Sequence, residues 1–294
     1  MVRTIVTHVL TLVAARDSTS LADAVIGSVR DAIGGGGVTI LSPGEAADIA
    51  CQAPPDLTLV RATLGDVPID AIATPAGGRR RRLLIADMDS TIITGETLDE
   101  LAAYAGLGEK IAAITARAMN GELDFKDALR ERVAMLKGLS VDALERTWQG
   151  IRLTPGAQEL VATMKAHGAF AALVSGGFTF FTSRVAAIVG FDLHRSNKLL
   201  DDGRVLLGRV AEPILDRSAK LATLRELSAK QGLPLSATLA VGDGANDLDM
   251  LIAAGLGVAF RAKPIVAAAA HARVDHANLR ALLFAQGYSV SEFA

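Results

Sequence analysis

Three short apolar runs constrain this chain more than any other feature. They are Leu83–Ala86, residues 170–174 and residues 238–241, and each stops at a polar turn followed by helical periodicity. A strand with one wet face alternates apolar and polar residues, and these runs do not alternate. Continuous apolar strands must be covered on both faces, which calls for a parallel sheet with helices above and below. In such a sheet ligands bind beyond the carboxyl ends of the strands, so the chemistry is expected in those three turns. Residues 96–150, between the first two runs, are mostly helical and too long for a simple crossover. They read as a cap over the site.

The fold class expected is therefore α/β, a Rossmann-like parallel sheet with a helical cap insertion over residues 83–294. A small α+β unit precedes it. Residues 4–15 form a strand, and residues 20–33 form a helix with Leu21, Val25 and Val29 on one face. Gly34 to Gly37 end that helix, and residues 38–41 and Leu57–Leu64 are further strands. This unit spans residues 1–76, and residues 77–82 form a linker whose four arginines read as solvated.

Composition excludes several function classes. Half of the 294 residues are apolar, which excludes a disordered chain. The formal net charge of −2 gives no basic excess for nucleic acid. Cys51, the single cysteine, can form neither an internal disulfide nor a cysteine zinc cluster, and fits a reducing cytoplasm. No apolar run approaches the roughly 20 residues of a membrane span. The N-terminal residues resemble a secretory signal only faintly, since His8 and threonines interrupt them.

The first turn reads Asp87-Met88-Asp89-Ser90-Thr91, with two carboxylates two residues apart and so on the same side of extended backbone. The second reads Ser175-Gly176-Gly177 before a helix, and the third Gly242-Asp243-Gly244-Ala245-Asn246-Asp247, again before a helix. Asp87, Asp89 and Asp243 are hard oxygen ligands suited to Mg²⁺, and His8, His167, His194, His271 and His276 have no competing ligand spacing. Ser175 with the backbone N–H groups of Gly176 and Gly177 makes an anion site at a helix N-terminus. One carboxylate can attack phosphorus while the other protonates the leaving oxygen. A lone Asp-x-Asp or Gly-x-Gly carries little weight; three such turns in order, each at a strand end, carry much more. Neither a third glycine for dinucleotide binding nor a Gly-x4-Gly-Lys loop is present.

Two cations strengthen the pattern. Arg132 falls inside the apolar stripe of Phe125, Ala128, Leu129, Val133 and Leu136, where an unpaired charge is costly, so it reads as a clamp for a carboxylate or phosphate. Lys220 sits near the start of its helix, the wrong end for a cation, unless it faces Asp87 and a phosphate. Thr97 to Glu100 fits a capping box. Glu96 then lies in the loop leaving the first turn, and by itself reads equally as solvated or functional. Asp249 reads as structural.

The four segments Asp-Met-Asp-Ser-Thr, Val-Ser-Gly-Gly-Phe, the lysine and Gly-Asp-Gly-Ala-Asn-Asp resemble the motifs of the haloacid dehalogenase superfamily. Residues 121–133, Gly-Glu-Leu-Asp-Phe-Lys-Asp-Ala-Leu-Arg-Glu-Arg-Val, are similar to the cap helix of its phosphoserine phosphatase branch. The resemblance covers residues 83–282. It implies Mg²⁺-dependent hydrolysis of O-phospho-L-serine through a phosphoaspartate on Asp87, with Asp89 as acid and then base. It implies metal ligation by Asp87, the Asp89 carbonyl and Asp243, and phosphoryl contacts from Ser175, Gly176, Lys220 and Asn246, with Gly177 and Asp247 in support. Glu96 and Arg132 would read the amino and carboxylate groups, and Met119 and Phe125 would line the pocket. Other readings are a phosphatase or phosphotransferase for another small phosphomonoester such as phosphohomoserine, and an amino-acid sensor with a vestigial phosphatase domain; the intact aspartates and Lys220 weigh against the sensor. The first unit is similar to ACT domains but lacks their glycine-containing ligand loop. A dimerising role, giving a homodimer, and a purely structural role both stand for it.

Overall fold

The computed structural model describes residues 6–119 and 123–294, with backbone alone at Ala116, Ala118 and Met119. The N-terminal part runs β1 (His8–Ala14), α1 (Asp23–Ala32), β2 (Val38–Ser42), β3 (Ala46–Cys51), α2 (Leu57–Leu64) and β4 (Ile69–Pro75). Its four strands form an antiparallel sheet in the order β2-β3-β1-β4. This β-α-β-β-α-β order is the ferredoxin-like arrangement. The expected strand at Leu57–Leu64 is instead α2. Leu57, Val60 and Leu64 recur at helical spacing, and Asp56 caps the start by accepting from the N–H groups of Thr58 (2.8 Å) and Leu59 (3.2 Å). Its β-branched Thr58, Val60 and Thr63 suggest a strand only when the period is ignored.

The second part begins with β5 (Leu83–Ala86). The insertion follows as α3 (Thr97–Tyr104), α4 (Gly108–Met119), α5 (Phe125–Ala134) and α6 (Asp142–Gly150). Next come α7 (Ala157–Ala166), β6 (Phe170–Phe178), α8 (Thr179–Val189), β7 (Leu193–Asn197) and a hairpin of β8 (Leu199–Asp201) and β9 (Leu206–Val210). The chain ends through α9 (Arg217–Lys230), β10 (Thr238–Gly242), α10 (Leu248–Ala253), β11 (Leu256–Phe260), α11 (Pro264–Ala269), β12 (Ala272–Val274) and α12 (Ala281–Ala285). The parallel sheet runs β12-β11-β10-β5-β6-β7, with Leu83 opposite both Thr238 and Phe170. All four residues of β5 are buried, as strands covered on both faces require. The three central strands are thus the three apolar runs, side by side, and their terminal turns meet. The expected α/β class with a parallel sheet and helical insertion is borne out.

The two sheets meet where β4 packs beside β12. Buried Asp70 on β4 accepts hydrogen bonds from the N–H groups of Asp275 (2.8 Å), His276 (3.1 Å) and Ala277 (2.7 Å). The arginine run is solvated only in part: Arg80 and Arg82 are exposed as expected, but Arg79 and Arg81 turn inward. Arg79 binds Asp48, Thr11 and the carbonyls of Phe284 and Ala285. Arg81 is buried against the carbonyls of Gly78, Ser236 and Gly255, and Arg80 stacks over Tyr288 and pairs with Glu292. Unpaired main-chain oxygens and buried acids at the junction need donors, and a guanidinium offers several at once. Among the described residues no helix is long and apolar enough to cross a membrane.

Candidate active site

The turn after β5 is wide and strained. Met88 to Ile92 wind once, and Ser90 adopts a left-handed conformation at φ 55°. The strain has a use, since Ser90 Oγ then donates to Glu96 Oε1 at 2.7 Å and ties the loop glutamate to the turn. Asp87 and Asp89 end in different surroundings. Asp87, 5% exposed, accepts from the Met88 N–H (2.8 Å) and pairs with Lys220 Nζ at 2.8 Å. Asp89 accepts from the Thr97 N–H (2.9 Å) and from Ser175 Oγ (3.3 Å). It therefore caps α3 itself, and the capping box expected within residues 97–100 does not form. Glu100 packs against Gly95 instead, where any Cβ would strike its carboxylate.

Lys220 lies in the first turn of α9, is 1% exposed, and holds Asp247 Oδ1 at 2.6 Å as well as Asp87. Asp247 is buried and also accepts from the Gly244 N–H at 3.0 Å, which fixes the turn after β10. Gly242 must be glycine, because a Cβ there would collide with the Asp247 carboxylate. Asp243 is half-buried, with Thr91 Oγ1 at 3.5 Å, and Asn246 lies over Gly244. Sequence reasoning did not single out Thr91, and its polar side chain in the Asp-rich first turn was the available signal.

Burial and the neighbouring Asp247 push Asp87 well above the usual carboxylate range, with Lys220 only partly offsetting them. Burial and Glu96 push Asp89 up to about 6. Burial, Asp247 and Glu96 push Asp243 up to about 7. Burial alone would lower Lys220, but Asp247 and Asp87 outweigh it and raise it. One ammonium thus faces more negative charge than it can neutralise. One oxygen each from Asp87, Asp243 and Asp247 lies within 4.8 Å of the others, a hard-oxygen group able to hold a cation. The Asp89 carboxylate lies outside this group, turned toward Thr97 and Ser175.

In β6 the Gly177 N–H donates to Ser175 Oγ at 2.8 Å. A Cβ on Gly177 would stand 2.7 Å from Asp89 Oδ2, and one on Gly176 would stand 3.3 Å from the Phe125 ring. Phe125, at the start of α5, therefore reaches over the glycine turn from the cap. Arg132 on α5 is half-buried. Its Nε donates to the Ala128 carbonyl (3.2 Å), Thr115 lies at 3.5 Å, and the charges it senses are Asp99 and Glu96. Met119 closes α4, and its side chain lies outside the described residues, as do residues 120–122 of the cap segment. Asp249 forms an ion pair with Arg217 on the surface.

Sequence reasoning missed the ion pairs that join cap to core. Lys126 meets Asp216 at 2.8 Å and Arg130 meets Glu212 at 2.8 Å. Their partners are some 80 or more residues apart in sequence, and no local pattern reports such pairing.

The family model for haloacid dehalogenase-like hydrolases matches residues 84–251. A phosphoserine phosphatase of Streptomyces coelicolor is 46% identical over 232 residues, 79% of this chain and 56% of that one. One of Streptococcus thermophilus is 44% identical over 197 residues, 67% of this chain and 92% of its own. The chain spans about half the length of several curated relatives it matches. Among solved structures, a probable phosphoserine phosphatase from Vibrio cholerae superposes with TM-score 0.80 at 30% identity, covering 99% of this chain and 90% of that one. The aspartate turns, the lysine between two of them and these likenesses converge, and the chain belongs to the haloacid dehalogenase-like hydrolases.

Proposed function

We propose that this protein hydrolyses O-phospho-L-serine to L-serine and phosphate, with Mg²⁺ as cofactor. The observation that carries the reading is the divergence of Asp87 and Asp89. Burial raises both, but Asp87 is clamped to a buried ammonium that favours its ionised form, whereas Asp89, pushed up to about 6, is turned toward Ser175 and the Thr97 N–H. Carboxylates pushed into different roles by their surroundings are the mark of a nucleophile and an acid.

An Asp87 oxygen bonds to phosphorus as the phosphorus–serine oxygen bond breaks, and Asp89 gives its proton to the departing oxygen. Asp89 then takes a proton from water, whose oxygen bonds to phosphorus as the Asp87–phosphorus bond breaks. Lys220, Ser175 and the Gly176 backbone hold the phosphoryl oxygens, with Asn246 beside them and Gly177 and Asp247 in support. Asp87, Asp243 and the Asp89 carbonyl would hold the metal, which supplies charge neutralisation between carboxylate and phosphate. Glu96 and Arg132 read the amino and carboxylate groups, and Phe125 walls the pocket.

The same reading sets the protein in the cytoplasm, supported by its single buried Cys51. A homodimer is supported by the outer strand β2, where Val38 and Ile40 are 38% and 47% exposed on an unpaired sheet edge. The test is phosphate release from L- and D-phosphoserine, phosphothreonine, phosphohomoserine, phosphoethanolamine and a sugar phosphate, with and without Mg²⁺, using Asp87→Asn as control. Metal-dependent preference for L-phosphoserine is expected. Preference for another ester overturns the substrate, and full activity in Asp87→Asn overturns the mechanism.

A further inference from the structure

Strand β6 loses its register with β7 between Val174 and Phe178, where Ser175, Gly176 and Gly177 bulge out of the ladder. A bulge re-aims side chains, but it also strips backbone groups of their strand partners. A buried carbonyl left without a donor is costly. Here the carbonyl of Gly176 is met by a side chain. Asn197, the last residue of β7 and 3% exposed, donates from Nδ2 to the Gly176 oxygen at 2.8 Å.

The same amide grips a second element. Its Oδ1 accepts from the Leu215 N–H at 2.7 Å, and Nδ2 also reaches the Leu215 carbonyl at 3.3 Å. Leu215 precedes Asp216, which caps α9, and Lys220 stands four residues beyond that cap. One buried side chain thus joins the glycine turn to the root of the lysine helix. Both elements supply the contacts assigned above to the transferring phosphoryl group. Among the described residues, no hydrogen bond joins Asn197, Gly176 or Leu215 to Glu96 or Arg132.

We propose that Asn197 is a positioning residue that sets the spacing between the Gly176 turn and Lys220 for phosphoryl transfer. The proposal rests on the phosphatase reading above. Misplacing such contacts by a fraction of an ångström costs rate, because they act on charge that develops only in the transition state. Side chains that read the serine part are left in place.

The test compares Asn197→Asp and Asn197→Ala with wild type. The aspartate variant is isosteric and keeps the bond from Leu215 N–H, but sets an acceptor against the Gly176 carbonyl. Thr238→Ala serves as control, since it removes a buried hydroxyl that donates to the Leu235 carbonyl at 2.7 Å at the far end of the sheet and has no hydrogen bond to Asn197, Gly176 or Leu215 among the described residues. Expected in both Asn197 variants is a 10- to 100-fold lower kcat and at least 10-fold weaker inhibition by orthovanadate, a mimic of the transferring phosphoryl group. Inhibition by L-serine should stay within two-fold, and Thr238→Ala should lose thermal stability with both inhibition constants unchanged. If folded Asn197→Asp matches wild type in kcat and orthovanadate affinity, or if the control shows the same pattern as the Asn197 variants, the positioning role fails. Absence of phosphatase activity in the wild type would instead overturn the reading beneath it.

Discussion

Replacing Lys220 by methionine isolates the electrostatics on which the site depends. The ammonium lies 2.8 Å from Asp87 and 2.6 Å from Asp247, with side-chain exposures of 1%, 7% and 0% for the three groups. Each contact is worth about 6 kcal/mol of gross attraction at an effective dielectric near 20, most of it offset by desolvation. Removing the cation leaves buried carboxylates uncompensated, for a net loss of about 3–5 kcal/mol. The loss has a pH signature. Asp87 is already raised by burial and Asp247, and without Lys220 it rises further. A carboxyl with a folded-state pKa above its unfolded value destabilises fully only above the folded value, and protonation relieves it as pH falls. Urea unfolding of metal-free protein should therefore show a larger deficit at pH 8 than near pH 5. Activity should fall by about 10²–10³, the usual cost of removing a preorganised charge donor. Adding Asp247→Asn to the variant should restore part of the stability and none of the activity. A deficit below about 1 kcal/mol at pH 8, or one equal at both pH values, would refute the reasoning.

Four further outcomes can be measured directly. Arg132→Ala should raise KM for O-phosphoserine by about 10- to 100-fold, the worth of a charge-assisted contact, while KM for phosphoethanolamine, which lacks the carboxylate, stays within two-fold; equal rises would remove the recognition role. Asp243 stands at about 7 in the metal-free protein, so Mg²⁺ must displace a proton at pH 6. Calorimetry in two buffers should show weaker binding and proton release as pH falls from 8 to 6, and pH-independent binding would contradict it. Gly177→Ala should lower kcat by about 10-fold or more, since its Cβ would stand 2.7 Å from Asp89 Oδ2 and 3.0 Å from Ser175 Oγ; an unchanged kcat would show that the turn yields freely. Asp70→Ala strands the N–H groups of Asp275, His276 and Ala277 at the junction of the two sheets. Chemical denaturation should find it about 3 kcal/mol less stable, with Asp70→Asn between it and wild type.

The sequence by itself determined the parts of the site that chain chemistry writes locally. Unbroken apolar runs forced buried parallel strands, and each run ends in its own polar turn, so Asp87, Asp89, Ser175 and Asp243 stand out from the amino-acid order. Lys220 was legible for a related reason, since a charge set among apolar helix positions needs a partner, and its ammonium does face Asp87. The N-terminal unit was less legible because period and propensity conflicted: Leu57–Leu64 holds β-branched residues, yet its apolar spacing and the Asp56 cap make it a helix. Tertiary structure alone decided that β10, β5 and β6 are neighbours, which brings three distant turns together. It alone placed Asp247 and Asp87 on one ammonium, docked the linker arginines against buried carbonyls, and set Asn197 beneath the bulge in β6. These are pairings between groups far apart in sequence. They are fixed by the need to satisfy each buried charge and backbone group, and that need arises only once the sheet has closed around them.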